Sequence, residues 1–390
     1  MSLDYHQLSS SHEAQQLVAI LSQSFGSSLT DSQRFCKRLG HENFRLISQA
    51  GEVVGGLAIY RMGQWYGEQC VPMAGIAGVG VAPEHRGTGV ARQLMSSTLQ
   101  ELHRLDVPIS VLYAATQRLY RQVGYEQGGM RCRWELPTAA ITLQELSPLQ
   151  SVNPADYYEV FQKIYTQQAK KNNGNLNRNQ AIWENVGDVS EDSILYSYVV
   201  GEPSQPNGYI LFTQVRSPDG FFLQIRDWAT LSAAAVRRIW SFLAAHRSQI
   251  ERVQWFGASY DPRLLLLSEQ AAHVLHQEAW MLRIINVSQA LSVRGYPLGV
   301  EAELHLDVRD DLIAANNGKF CLKVSQGRGK VTPGGNGDFS VNIRGLSPLY
   351  TGYLSPQQLQ LIGSLQAAPK ALATATKIFS GTPPWMPDFF

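Results

Sequence analysis

Arg86, Gly87 and Gly89 stand together in RGTGVA, residues 86 to 91. The stretch follows the apolar, glycine-studded AGIAGVGVAP and precedes RQLMSSTLQELHRL, whose apolar residues recur at helical spacing. The first N–H groups of a helix have no partner inside it and carry roughly half a positive charge, so a glycine turn opening a helix can cradle a phosphate. Gly87 and Gly89 let backbone approach such an anion closely, and Arg86 adds a cation beside it. Two other phosphate loops fail on spacing: G-x-x-x-x-G-K-[ST] is absent, and G-x-G-x-x-G would need a third glycine where Arg92 stands. On composition alone an ordinary strand-to-helix turn stays open.

The elements around the turn read as mixed α/β. EAQQLVAILSQSF and SQRFCKRL have helical patterns, FRLISQ and VVGGLAIYRM form a hairpin across AGE, and VPMAGIAGVGV is a strand entering the glycine turn. The helix after it and the short strand VPISVLYAA complete a βαβ unit, which implies parallel pairing. QRLYRQVGYE suggests helical turns closing on a glycine, and GGMRCRWEL a last strand. After a Pro/Ser-bearing connection the order repeats in outline, with DYYEVFQKIYTQQ and SAAAVRRIWSFLAAHRSQ as helices, NNGNLNRN as a polar loop and FFLQIRDWA as a strand. No glycine–arginine turn joins Trp228 to the helix after it, so this region reads as a copy without the phosphate loop. Past Val287 come ELHLDV, KFCLKVS and DFSVNIRG, then two helices and the aromatic tail PPWMPDFF. These breaks divide the chain into 1–137, 138–286 and 287–390.

Composition narrows the function classes. A chain of 390 residues exceeds the ~100–200 residues of one ordinary domain. The net charge of +1 argues against nucleic acid as a partner, because phosphate-backbone binding rests on a concentrated basic face. No apolar run offers a membrane span, and the N-terminus lacks a signal-peptide pattern, which points to the cytoplasm. Cys36, Cys70, Cys132 and Cys321 lie far apart without CxxC spacing, and His273 and His276 read as a helical i,i+3 pair without further ligand motifs. No metal is expected.

The pattern V-x-V-x-P-x-x-R-x-x-G-x-A, from Val79 to Ala91, resembles the acyl-CoA signature of the GNAT N-acetyltransferase superfamily. The order of the rest, with Trp280-Met281-Leu282-Arg283 leading into VSQALSVRGY and an aromatic C-terminus, resembles the Eis-type ("enhanced intracellular survival") acetyltransferases over nearly the whole chain. The resemblance implies two tandem GNAT-like domains and a third domain like sterol carrier proteins. Its acetyl-CoA site would comprise Val79, Gly80, Val81, Arg86, Gly87, Thr88, Gly89, Val90, Ala91 and Arg92, with Ala115 and Thr116 after the next strand. Val79 would donate its main-chain N–H to the oxyanion.

For the proton on the departing thiolate the resemblance points to Tyr120 in RLYRQVGY, since a tyrosine with an ordinary pKa of ~10 is protonated at neutral pH. A core tyrosine at helical spacing is the alternative, and Tyr125 reads as packing. For the base the resemblance points to the terminal carboxylate of Phe390, which must be partly desolvated to act. A tail that merely staples domains is the alternative. Asp388 reads as a solvated tail aspartate, and Glu84 and His85 receive no role. The acceptor implied is a primary amine on a small polycationic molecule of the aminoglycoside or polyamine type, handled by a homo-oligomer, a homohexamer in this family. Acetylation of protein lysines or N-termini is a second reading, and a non-catalytic protein that senses acyl-CoA or holds an apolar ligand is a third.

Overall fold

Gly26, in the left-handed region at φ 64°, ends α1 (Ser11–Phe25), and the Ser28 side chain accepts the Asp31 N–H to start α2 (Leu29–Leu39), so the two helices meet at a sharp elbow. A capping box of Ser10 and Glu13 fixes the other end of α1. The structure is a computed structural model that describes residues 3–190, 192–218 and 220–390. It divides into two units, Met1–Gly129 with Ala279–Thr382 and Phe389–Phe390, and Met130–Glu278 with Pro383–Asp388.

In the first unit β1 (Leu3–Gln7), β2 (Phe44–Gln49), β3 (Glu52–Tyr66) and β4 (Gln69–Val81) run antiparallel in sequence order. After the glycine turn α3 (Val90–Arg104) crosses to β5 (Ile109–Tyr113), which pairs in parallel with β4 and antiparallel with Trp280–Ile284. α3 buries Val90, Leu94, Met95, Leu99 and Leu102, one face of a 3.6-residue period, against Leu57, Ile59, Ile76 and Leu112 of the sheet. A short helix, α4 (Gln117–Gln122), follows β5 and closes on Gly124 at φ 90°, where a Cβ would collide with the buried guanidinium of Arg283. Arg283 is neutralised by Asp310 at 2.7 Å, both side chains being fully buried. The same unit holds a separate five-stranded sheet in the order Arg328–Pro333, Gly318–Ser325, Ala302–Arg309, Phe339–Asn342, Leu365–Ala367.

In the second unit the strands Ile250–Gly257, Gly220–Thr230, Gln205–Ser217, Tyr196–Glu202 and Leu149–Ser151 lie side by side, with residues 132–137 on the outer side of Ile250–Gly257. Ile250–Gly257 and Gly220–Thr230 pair in parallel, and the helix Ala233–Ala244 connects them. Its core is aromatic, built on Trp228, Trp240 and Trp255 with ring centroids 5.4 to 5.9 Å apart. The NNGNLNRN tract is a polar loop, as its composition suggests, with Asn173, Asn175 and Arg178 buried. His273 and His276 lie on a strand, His273–Ile284, not a helix, and His273 pairs with Glu135 at 3.4 Å. Among the described residues no helix is long and apolar enough to cross a membrane.

Candidate active site

β4 and β5 are hydrogen-bonded only from Met73 to Gly75 on one and from Ile109 to Val111 on the other. Beyond that point they part. On its other edge β4 carries a bulge against β3, where Gly78 and Val79 face the single Leu57, and Gly78 takes φ 56° to allow it. The parting strands open a cavity of about 330 Å³. β4 contributes Ile76 to Val79, and the far side contributes Tyr113, Ala115 and Tyr120. The α1–α2 elbow adds Phe25, Asp31 and Phe35, and the chain end adds Phe389 and Phe390.

At the open end of β4 the chain makes a loop from Ala82 to Gly89 before α3 begins. Gly87 and Gly89 hold φ 78° and 93°, and a Cβ at either would meet nothing, so glycine is needed there for conformation rather than for space. The α3 N-terminus has no side-chain cap. Among the described residues, no protein acceptor takes the N–H groups of Gly87, Thr88, Gly89, Val90, Ala91 or Arg92; the first backbone bond into the helix is Gln93 N–H to Gly89 O, 3.0 Å. Orphaned donors in such a run, at the positive end of a helix, suit a diphosphate. Arg86 is set beside them by donating Nε–H to the Val81 carbonyl, 3.1 Å, and reaching Ser24 Oγ at 3.4 Å. The Thr88 hydroxyl donates to His85 O at 2.7 Å and so tightens the turn.

The sequence-expected residues therefore fall into groups. Val79, Ala115, Tyr120 and Phe390 come together around the cavity. Residues 86 to 92 form the loop and helix start beyond it. Gly80 faces α1, where a Cβ would press on Ile20, Leu21 and Ser24, and Val81 is buried with its carbonyl engaged by Arg86. Thr116 is exposed at the entry to α4 without capping it.

Tyr120 is 6% exposed, and its ring meets Tyr125 edge-on at 6.0 Å. The Tyr125 hydroxyl is spent on Ser110 Oγ, 2.7 Å, which in turn donates to Ala74 O. Tyr125 thus braces the wall. Burial pushes the Tyr120 phenol up to about 12, which keeps its proton in place across the neutral range. The Phe390 ring packs on Tyr60 at 5.5 Å and on Tyr113 at 6.1 Å, and Phe389 on Tyr113 at 4.8 Å.

The elbow residues Phe25, Asp31 and Phe35 were not foreseen. Asp388 corrects the expectation of a solvated tail. Within the second unit its carboxylate is buried, 2.9 Å from Arg178 Nε, and accepts from the Tyr165 hydroxyl at 3.3 Å. Burial raises its pKa, against the pull of the Arg178 charge.

The second unit has its own strand fork. The strands Gly220–Thr230 and Ile250–Gly257 pair from Phe221 to Gln224 and then part. Here the space left is only about 10 Å³, because Trp228, Trp255 and Trp385 crowd it. The turn into the helix Ala233–Ala244 has no glycine, and Ser232 Oγ accepts the Ala235 N–H at 3.1 Å.

Comparison with known proteins agrees with this geometry. Residues 5–128 and 174–284 each match an acetyltransferase (GNAT) domain family, and residues 287–387 match the sterol carrier protein domain family. The crystal structure of a GCN5-related N-acetyltransferase from Anabaena variabilis is 52% identical, covers 100% of both chains and superimposes with a TM-score of 0.97. "N-acetyltransferase Eis" of Mycobacterium tuberculosis is 27% identical over 317 residues, 73% of this chain and 72% of that relative. The chain belongs to the GCN5-related (GNAT) N-acetyltransferases. A GCN5-related N-acetyltransferase from Kribbella flavida is similar to this GNAT enzyme at 27% identity and a TM-score of 0.87, covering 100% of this chain and 98% of its own. The fold is accordingly mixed α/β, two GNAT domains followed by a sterol-carrier-like domain, and GNAT enzymes draw their acetyl group from acetyl-CoA.

Proposed function

We propose that this GNAT enzyme moves an acetyl group from acetyl-CoA to primary amines of a small polycationic molecule, of the aminoglycoside or polyamine type, at the strand fork of residues 1–137. On this reading 138–286 is the copy without a co-substrate site and 287–390 supplies the tail. The observation that carries the proposal is the run of unpartnered N–H groups from Gly87 to Arg92 at the mouth of a fork that also gathers Val79, Tyr120 and Phe390.

The co-substrate brings an acyl thioester; its diphosphate fits the amides of residues 87–92 with Arg86 alongside. Val79 sits at the bulge where β4 leaves regular pairing with β3 and lines the fork, and its main-chain N–H is assigned to the oxyanion, since an N–H aimed where negative charge develops is a strong source of rate. The amine nitrogen bonds to the thioester carbon as the carbon–sulfur bond breaks. The nitrogen gives its proton to the Phe390 carboxylate, and the sulfur takes one from the Tyr120 hydroxyl. Tyr120 first donates a hydrogen bond to the developing thiolate, its proton passes to the sulfur as the carbon–sulfur bond breaks, and the phenolate is reprotonated from solvent before the next turnover.

A cationic acceptor is supported by Asp31 and the terminal carboxylate, and by Phe25, Phe35, Tyr113 and Phe389, whose ring faces attract ammonium groups. The proposal extends to a homo-oligomeric assembly, which sedimentation would test. Acetyl-CoA turnover with a panel of amines, on the intact chain and on one extended beyond Phe390, tests the chemistry. The intact chain is expected to favour amines with several positive charges, and the extended chain to lose turnover while still binding acetyl-CoA. Equal rates for the two chains would remove the terminal base from the mechanism.

A further inference from the structure

Gly75 lies inside β4 at an ordinary negative φ, opposite Tyr60 of β3 and Val111 of β5. Its backbone does not call for glycine, and glycine in a strand interior weakens the strand. Space explains it. A Cβ at this position would stand 2.6 Å from Phe390 Cε2 and 3.1 Å from Phe390 Cδ2, with Met62 Cε also at 2.6 Å. Met62 is the tip of a flexible side chain and can move aside. The Phe390 ring cannot yield so freely, because Tyr60 and Tyr113 confine it, with Tyr60 itself 1% exposed.

Gly75 is also the last residue of β4 that pairs with β5. The missing side chain therefore lets the terminal ring sit at the point where the two strands begin to part. We propose that Gly75, with Tyr60 and Tyr113, forms a socket for the Phe390 side chain, and that this socket is a positioning device for the terminal carboxylate. The inference rests on the reading of that carboxylate as the base. The carboxylate and the ring belong to one residue, so displacing the ring moves the base relative to the acceptor nitrogen. A misplacement of about 1 Å can cost on the order of a hundredfold in rate. Gly75 touches no reacting atom and acts only through Phe390.

Four chains test this: the native protein, Gly75→Ala, Gly75→Ala with Phe390→Leu, and the native sequence extended by glycines beyond Phe390. For each, kcat and KM are measured with one amine, and acetyl-CoA affinity by calorimetry. Gly75→Ala is expected to lower kcat by about ten- to a hundredfold with acetyl-CoA affinity unchanged. The smaller leucine in the double variant makes room for the added methyl and is expected to recover much of that loss. A purely structural defect at Gly75 would not be relieved by shortening residue 390. If extension abolishes turnover but Gly75→Ala turns over like the native chain, the socket is wrong and the terminal base stands. If the extended chain keeps its rate, the base is wrong and the socket falls with it. Should Gly75→Ala not fold, Phe390→Ala tests the socket from the other side, since it removes the ring and keeps the carboxylate. A kcat loss of about tenfold or more is expected there, with Phe390→Leu between, and an unchanged kcat overturns the proposal.

Discussion

The two strand forks of this enzyme start from the same plan and end differently. In each, two parallel strands part after a few residues of pairing and a helix connects them. In the N-terminal unit the strand is followed by a loop with glycines at φ 78° and 93°, the helix start is uncapped, and a cavity of about 330 Å³ opens. In the second unit a serine caps the helix and tryptophans leave about 10 Å³. On the proposed reading, parted strands alone do not make a co-substrate site. The same helix-start donors serve stability when a side chain satisfies them and binding when none does, and indole rings decide whether the gap is core or pocket.

Changes on either side sharpen this contrast. The largest effect is expected from Trp228→Ala, which empties the closed fork and costs ~3–5 kcal/mol of stability by denaturant titration. The emptied fork still lacks the loop amides, so the protein is expected to gain no second acetyl-CoA site. In the open fork, Gly89→Asp sets a carboxylate among the amides at a φ that disfavours it. Acetyl-CoA affinity measured by calorimetry is expected to fall by about a hundredfold, with melting temperature little changed. Tyr120→Phe is expected to lower kcat by ~10²-fold without weakening acetyl-CoA binding. With the phenol raised to about 12, its proton is not lost until well above the ordinary tyrosine value of ~10, so a kcat–pH profile should show no alkaline fall from Tyr120 up to that value. The smallest effect belongs to Ser232→Ala, about 1 kcal/mol of stability from a lost cap and no change in acetyl-CoA affinity.

Much of this was legible in the sequence where the signal is local. The glycine turn, the apolar stripe of α3, the β2–β3 hairpin and the missing glycine turn after Trp228 depend on neighbouring residues, and periodicity carries them. The site's other half depends on residues brought together from far along the chain. Phe25 and Phe35 read as ordinary positions of an amphipathic helix pair, and Asp31 falls just before the second of them, because nothing local marks which residues meet a cavity. Asp388 looked solvated because a lone carboxylate in a tail usually is, and only the fold supplies the Arg178 charge that permits its burial. The NNGNLNRN tract is the polar loop its composition suggests, but only the fold shows that Asn173, Asn175 and Arg178 turn inward.

The central claim is that the Gly87–Arg92 amides hold the diphosphate of one coenzyme at one fork. Isothermal titration of the native chain with acetyl-CoA measures this most directly through its stoichiometry. One equivalent bound per chain, weakened by the aspartate at position 89 and indifferent to the loss of the Ser232 cap, is the expected result. No binding, two equivalents, or one equivalent that ignores position 89 would contradict the account.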